Sequence, residues 1–153
     1  MRVAALIAVC CLALTARAEA PFVIGQLHYD GGGDWYSGAT SIGNWLAELQ
    51  VRVGLNTARE ARVVRPTGRD LATTPFVYVN GHGNMRFSDA EAVSLRRYLL
   101  GGGFMFVNDD YGLDESFRRE MARVLPGAPL EPIPATHPIY HCFYDLAGLP
   151  KVH

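Results

Sequence analysis

Short apolar runs alternate with amphipathic helical segments along most of this chain, and that alternation limits its fold more than any other feature. Four runs have the length of strands: Phe22–Tyr29, Ala61–Arg65, Phe76–Asn80 and Phe104–Val107. Each run is largely apolar rather than alternating with polar residues, as expected for strands covered by helices on both faces. The pattern therefore predicts an α/β fold, a three-layer α/β/α sandwich around a mainly parallel sheet.

Three segments have the features of helices that could cover such a sheet. Thr40–Val53 repeats apolar residues at helical spacing. Ser88 and Glu91 match a capping box at the start of a second helix, and Gly101 stands where a left-handed C-terminal residue is expected. The third predicted helix is Asp114–Leu125. The apolar stripe of the first helix consists of Ile42, Trp45, Leu46, Leu49 and Val53.

The first residues have the layout of a secretory signal. Arg2 precedes the apolar run Val3–Ala16, and Ala16-Arg17-Ala18 has the small residues of a cleavage site. The run is shorter than the roughly 20 residues that span a bilayer, although a retained membrane anchor is the alternative. We therefore expect a signal peptide over residues 1–18 and a single mature domain over 19–153. The domain is expected to be exported to the periplasm or the extracellular space, with no transmembrane span after cleavage.

The end of the chain has a different character. Five prolines fall between Pro126 and Pro138 with no hydrophobic period. His137–Leu146 is predicted to contain a short turn of helix that begins at Pro138. Cys142 is the one cysteine left after signal cleavage, so no disulfide can form within the mature chain. We expect its thiol to be a small, buried apolar group.

Charge excludes one class of partner. The chain has 14 Lys and Arg residues against 15 Asp and Glu residues, a formal net charge of −1. Nucleic-acid binding depends on a basic surplus, which this chain lacks, so no nucleic-acid partner is expected.

Polar residues follow three of the predicted strands, and a fourth polar group lies near the end of the chain. In open parallel sheets, ligands bind beyond the carboxyl ends of the strands, so these residues are expected to share one edge. The candidates for catalysis are His82, Asp109 and Asp110. The candidates for ligand binding are Asp30, Asp34, Trp35, Asn80, Tyr111, His137 and His141.

Two kinds of chemistry suit these candidates. His82 with Asp109 or Asp110 could activate a water molecule as an acid–base pair. The same residues with His137 and His141 could hold zinc or another divalent ion, but no compact ligand motif is present and the cofactor stays unknown. The alternative is structural, because Asp residues after strands often cap helices or bind loop N–H groups.

Two further types of site lack their defining residues. Gly81-His82-Gly83 has the glycines of a nucleophile elbow but neither a Ser nor a Cys. Gly31-Gly32-Gly33 matches neither a dinucleotide fingerprint nor a P-loop, and its glycines are expected to allow a tight turn. The sequence therefore disfavours covalent catalysis and phosphate binding.

Five segments of the chain together form a recognisable set. They are Gln26–Trp35, Asn80–Asn84, Leu95–Phe104, Asp114–Met121 and His137–His141. From about Phe22 to its end, the chain resembles the bacterial domain-of-unknown-function family numbered 4159. The resemblance implies a fold similar to the class I glutamine amidotransferase-like (flavodoxin-like) domains, but no reaction. The amidotransferase nucleophile Cys is missing at the elbow, so no glutaminase activity is expected. Family domains continue where this chain stops, and whether the chain is truncated at His153 is left open.

The sequence leaves three functions open. The first is an exported domain that binds a small polar ligand, a glycan or a partner protein at the carboxyl edge of the sheet. The second is a hydrolase that is metal-assisted or depends on His and Asp side chains. The third is a structural or interaction domain in which the polar residues only fix loops.

Overall fold

The computed structural model describes residues 20–146 and confirms the predicted α/β fold. The predicted signal peptide and the chain end at His153 lie outside the described residues. The strands are β1 (Ile24–Leu27), β2 (Arg62–Val64), β3 (Phe76–His82) and β4 (Phe104–Tyr111). The helices are α1 (Ala39–Val53), α2 (Asp89–Leu100) and α3 (Asp114–Val124), with short 3₁₀ turns at Arg69–Thr73 and Pro138–Tyr140.

The four strands form one parallel sheet in the order β2-β1-β3-β4. Ile24 of β1 pairs with Phe76 of β3, which in turn pairs with Phe104 of β4. The carboxyl ends of the strands therefore lie along one edge of the sheet, which we call the rim. This arrangement agrees with the expected flavodoxin-like three-layer sandwich.

Two apolar clusters hold helices against the two faces of the sheet. On one face, Val79 of β3 packs in a cluster with Leu95 of α2 and Val124 of α3. On the other face, Tyr78 packs with Leu46 of α1. Burial of each such leucine stabilises the fold by about 1.5–3 kcal/mol. No helix within residues 20–146 combines the length and the apolar character needed to cross a membrane.

The α1 face of β4 is less covered than its apolar sequence predicts. Phe104 and Phe106 are 47% and 42% exposed. Their rings stack on Phe76 and Tyr78 of β3, and the half-exposed Trp45 of α1 meets Phe106 edge-on. Because α1 packs over β1 and β3, the prediction that helices cover strand four on both faces is wrong on this side for the described residues.

The strands β3 and β4 extend further into polar sequence than predicted. Asn80 pairs with Asn108, and after an irregularity next to Gly81, His82 pairs with Tyr111. Backbone pairing between neighbouring strands here outweighs the weak strand propensity of Asn, Asp and Gly. Several candidate residues therefore stand on strands rather than on loops, which fixes their positions.

The predicted capping box of α2 is confirmed. The Ser88 hydroxyl accepts from the N–H of Glu91 at 3.3 Å, and the Glu91 carboxylate accepts from the N–H of Ser88 at 2.8 Å. The predicted left-handed residue at the other end is wrong by one position. Gly101 has a φ of −82° because its N–H still bonds to the carbonyl of Arg97, and Gly102 takes the positive φ of 95°.

The segment after α3 folds back onto α1. A 3₁₀ turn over Pro138–Tyr140 confirms the turn predicted to begin at Pro138. Further along, Arg52 of α1 donates to the hydroxyl of Tyr144 at 3.2 Å. The thiol of Cys142 is exposed, so its expected burial is wrong, because this segment lies outside both apolar clusters.

Candidate functional site

Two glycine-rich turns meet at the rim, one after β1 and one at the end of β3. The N–H of Gly33 donates to the carbonyl of Asn84 at 2.9 Å, which ties the two turns together. A Cβ at Gly33 would lie 2.8 Å from the carbonyl oxygens of both His82 and Asn84. A Cβ at Gly81, where φ is 143°, would overlap the hydroxyl of Tyr29. Glycine is thus required at both positions because the turns leave no room for a side chain.

The close approach of the turns brings Asp34 against His82. The Asp34 carboxylate accepts a hydrogen bond from the backbone N–H of His82, and its Oδ2 lies 2.9 Å from Nδ1 of the His82 ring. The backbone N–H, followed by the imidazole, holds the pKa of Asp34 below its usual range, although partial desolvation opposes this effect. Asp34 is therefore an ionised acceptor, which places a proton on Nδ1 of His82.

The other ring nitrogen of His82 is open to solvent. The side chain of His82 is 55% exposed and that of Asp34 is 32% exposed. No residue in the described part of the chain hydrogen-bonds Nε2 of His82. In the neutral ring, Nε2 then carries a lone pair that can accept a proton or a hydrogen bond.

A second polar network lies beside this pair, between β3, β4 and the loop before α1. The Ser37 hydroxyl donates to Oδ2 of Asp110 at 3.1 Å, and the Asn80 amide donates to the carbonyl of Ser37 at 2.6 Å. Asn80 is 1% exposed, and within residues 20–146 its Oδ1 is a buried acceptor with no donor. A buried acceptor of this kind stabilises any water or ligand group that donates to it.

Tyr29 links the two networks from below. Its buried hydroxyl donates to the carbonyl of Asn80 at 3.0 Å. Burial, followed by the negative charges of Asp34 and Asp110, raises the pKa of Tyr29 to about 12. Since both carboxylates act on the same phenol, they lie on one small part of the rim.

Two exposed tyrosines are sequence neighbours of the residues that form the Ser37–Asp110 hydrogen bond. Tyr36 precedes Ser37 and is 64% exposed, and Tyr111 follows Asp110 and is 81% exposed. Trp35 has a different role, because its ring is partly buried against the core and stacks on His28 with centroids 4.1 Å apart. The aromatic surface available to a ligand therefore comes from the tyrosines rather than from Trp35.

The twin aspartates of β4 do not act together. The carboxylate of Asp109 accepts from the N–H groups of Leu113 at 2.8 Å and Asp114 at 3.2 Å, so it caps the start of α3. Asp110 reaches Ser37 on the other face, because successive side chains of a strand point in opposite directions. The carboxylate beside the His82 ring is accordingly that of Asp34, not that of Asp109 or Asp110.

Three of the other candidates lie apart from this cluster. The backbone carbonyl of Asp30 accepts from Arg86 at 2.7 Å, and its side chain is exposed on the outer side of the first glycine turn. His137 accepts from the N–H of Ile139 at 3.2 Å, and His141 bonds to Asp145 and to a carbonyl in its own segment. Within residues 20–146, neither histidine contacts the rim. The chain segment that carries them is held on α1 instead.

The geometry does not favour a protein-held metal ion. Among residues 20–146, no group of three or more His, Cys, Asp or Glu side chains is arranged to hold one.

Sequence reasoning also missed two members of the site, Ser37 and Tyr29. Neither carries a motif, and both are recognisable only through contacts with Asn80 and Asp110, which are distant in sequence.

Comparison with known proteins gives one result. The family model described as Domain of unknown function (DUF4159) matches residues 23–153. No curated protein matches the chain.

Proposed function

The chain belongs to the DUF4159 family of domains of unknown function, and because that family prescribes no reaction, the rim itself must indicate the activity. We propose that the rim binds a small, neutral, hydroxyl-rich ligand such as the end of a glycan. The ligand would lie over the Ser37–Asp110 hydrogen bond and contact the exposed rings of Tyr36 and Tyr111.

The polar groups of the site suit hydroxyl groups. The carboxylates of Asp34 and Asp110 accept hydrogen bonds, and Nε2 of His82 is an exposed acceptor beside them. Two negative charges at one site disfavour phosphate and carboxylate ligands, since like charges repel. A neutral polyol avoids that repulsion and supplies several donors.

The observation that carries the proposal is the position of the two exposed tyrosines. Tyr36 and Tyr111 are sequence neighbours of the two residues that form one hydrogen bond, and both rings are largely exposed at this end of the sheet. Tyrosine combines a large apolar face with a polar hydroxyl, and such faces pack on the C–H surfaces of sugar rings. Exposed rings next to carboxylates therefore provide both kinds of contact that a sugar needs.

A titration of the protein with glucose, N-acetylglucosamine and cellobiose tests this proposal. We expect saturable chemical-shift changes at the rim in NMR spectra for at least one sugar. Tyr111→Ala and Asp110→Asn should each weaken binding about tenfold, or about 1.4 kcal/mol. Tyr144→Ala is the matched control, because Tyr144 is an exposed tyrosine of the segment after α3, where it contacts Arg52, and its loss should leave binding unchanged. Absence of saturable shifts, or equal losses in the control, would contradict the proposal.

We also propose that the protein is exported after cleavage behind residue 18. The charged start, the apolar run and the small residues at 16 and 18 support this. N-terminal sequencing of the mature protein should begin at Glu19, and recovery of the uncleaved chain from the cytoplasm would contradict it.

A further inference from the structure

The described chain contains two histidine–aspartate pairs with the same contact but different surroundings. Nδ1 of His82 lies 2.9 Å from Asp34, and Nδ1 of His141 lies 2.6 Å from Asp145. The pairs differ at the other ring nitrogen. Nε2 of His141 lies 3.0 Å from the carbonyl of Ala135, whereas no described residue bonds to Nε2 of His82.

This difference decides what each ring can do. Both ring nitrogens of His141 are engaged by neighbouring oxygens, so neither is open to a water molecule or a substrate. It serves as a bridge within its own segment. His82 has one acceptor, Asp34, and its exposed Nε2 remains free to take a proton from a water molecule or a substrate.

The His82 pair is also held more firmly than an ordinary surface ion pair. Asp34 is fixed by the backbone N–H of His82 as well as by the ring. The peptide that carries this N–H follows Gly81, where a Cβ would overlap the hydroxyl of Tyr29. The imidazole of His82 and the carboxylate that orients it are therefore both held in place. A base that is fixed in this way suits acid–base catalysis.

We propose that His82 is the catalytic base of an esterase that removes acyl groups from a hydroxyl-rich ligand bound at the rim, with Asp34 as its positioning residue. The inference rests on the proposed function for the place of the substrate. Both oxygens of the Asp34 carboxylate are engaged by the N–H and the ring of His82, so Asp34 is not placed to donate the proton that glycoside cleavage needs from a carboxylic acid. An ester, by contrast, can be hydrolysed by a water molecule that a single base activates.

The reaction needs no group beyond water and the ester. Nε2 of His82 takes a proton from water while the water oxygen attacks the ester carbonyl carbon. The bond from that carbon to the sugar oxygen then breaks, and the proton on Nε2 passes to the departing oxygen. The products are a free sugar hydroxyl and a carboxylic acid, which loses its own proton to solvent.

Acetate release from glucose pentaacetate, with 4-nitrophenyl acetate as a second probe, tests this inference on the full chain. His82→Ala should lower kcat at least about a hundredfold, and Asp34→Asn should lower kcat with little change in KM. His141→Ala is the matched control, because it removes the pair whose Nε2 is occupied, and it should retain the wild-type rate within about twofold. Circular dichroism and thermal unfolding verify that each variant is folded.

Two outcomes overturn the inference. The first is that the wild-type protein releases acetate no faster than the folded His82→Ala variant. The second is that His141→Ala loses as much activity as His82→Ala. Binding of unacetylated cellobiose separates this failure from that of the proposed function. If the sugar binds and no acetate is released, the binding site stands and the esterase is refuted. If the sugar does not bind and no acetate is released, both the binding site and the esterase are refuted.

Discussion

The hydroxyl of Tyr29 occupies the space in which a side chain at Gly81 would begin. The same hydroxyl donates to the carbonyl of Asn80, so a buried tyrosine from the end of β1 sets the path of β3 where it reaches the rim. The position of His82, one residue further along, therefore depends on a contact that lies beneath the site and not within it.

Gly81→Ala should destabilise the protein by more than about 3 kcal/mol, because it combines a positive φ with a steric overlap. Urea denaturation measures the change. Gly83→Ala is the matched control, since its φ of 81° is also positive but no atom lies within 4 Å of its Cβ. It should cost only about 1 kcal/mol. Tyr29→Phe should restore part of the stability of Gly81→Ala, and equal costs for the two alanines would contradict the overlap.

Substitution of Asp109 should affect stability and not binding, and substitution of its neighbour Asp110 should affect binding and not stability. Asp109→Ala removes the cap of α3 and should lower the free energy of unfolding by about 1 kcal/mol, with sugar binding unchanged. Asp110→Ala should change stability by less than about 0.5 kcal/mol and weaken sugar binding. Urea denaturation and the NMR titration measure the two effects. Asp109→Asn keeps an oxygen acceptor and should retain most of the cap, and a binding loss in Asp109→Ala would contradict this division of roles.

Glu120 should make the fold sensitive to acid. Its carboxylate is 3% exposed and accepts from the N–H of Phe87 at 3.1 Å while it contacts Arg119 and Arg123. Burial by itself raises the pKa of Glu120, but these donors outweigh it and hold the pKa below its ordinary value of 4.5. A lowered folded-state pKa gives stability that is present above the unfolded-state pKa and is lost as the pH falls through the folded-state value.

Glu120→Gln measures this contribution, because the amide oxygen can still accept from the N–H of Phe87. The difference in unfolding free energy between wild type and Glu120→Gln should shrink as the pH falls below about 4.5. Glu120→Ala should cost about 2 kcal/mol at neutral pH, since it leaves the buried N–H of Phe87 without its acceptor and removes the carboxylate that Arg119 and Arg123 contact. A wild-type stability that is independent of pH over this range would contradict the argument.

The sheet and its order of strands follow from patterns that are local in sequence. Each of these patterns, an apolar run, a capping box or a glycine, depends on only a few neighbouring residues. The predicted strands and helices therefore lie close to those of the structure. The predicted strand bounds and burial are wrong where contacts between residues distant in sequence determine the structure. β4 extends through Asn108 because β3 pairs with it, and Trp45 remains half-exposed because α1 does not reach the far side of β4.

The site is harder to predict because its defining contacts join residues that are far apart. Asp34 and His82 are 48 residues apart, and Ser37 and Asp110 are 73 apart. The sequence predicted that Asp109 or Asp110 would pair with His82, whereas the carboxylate that contacts His82 is that of Asp34. That choice depends on the two-residue period of β4 and on the fit of one glycine turn against another.

Within residues 20–146, no strand pairs with the outer edge of β4, and that edge determines the direction in which this sheet can be extended. A strand added from any source would find a template of eight residues at β4, against three at β2 on the opposite margin. It would also cover Phe104 and Phe106 and end next to Asn108–Asp110. Growth of the sheet on that side would therefore bury the aromatic surface and bring new residues next to the rim in a single event.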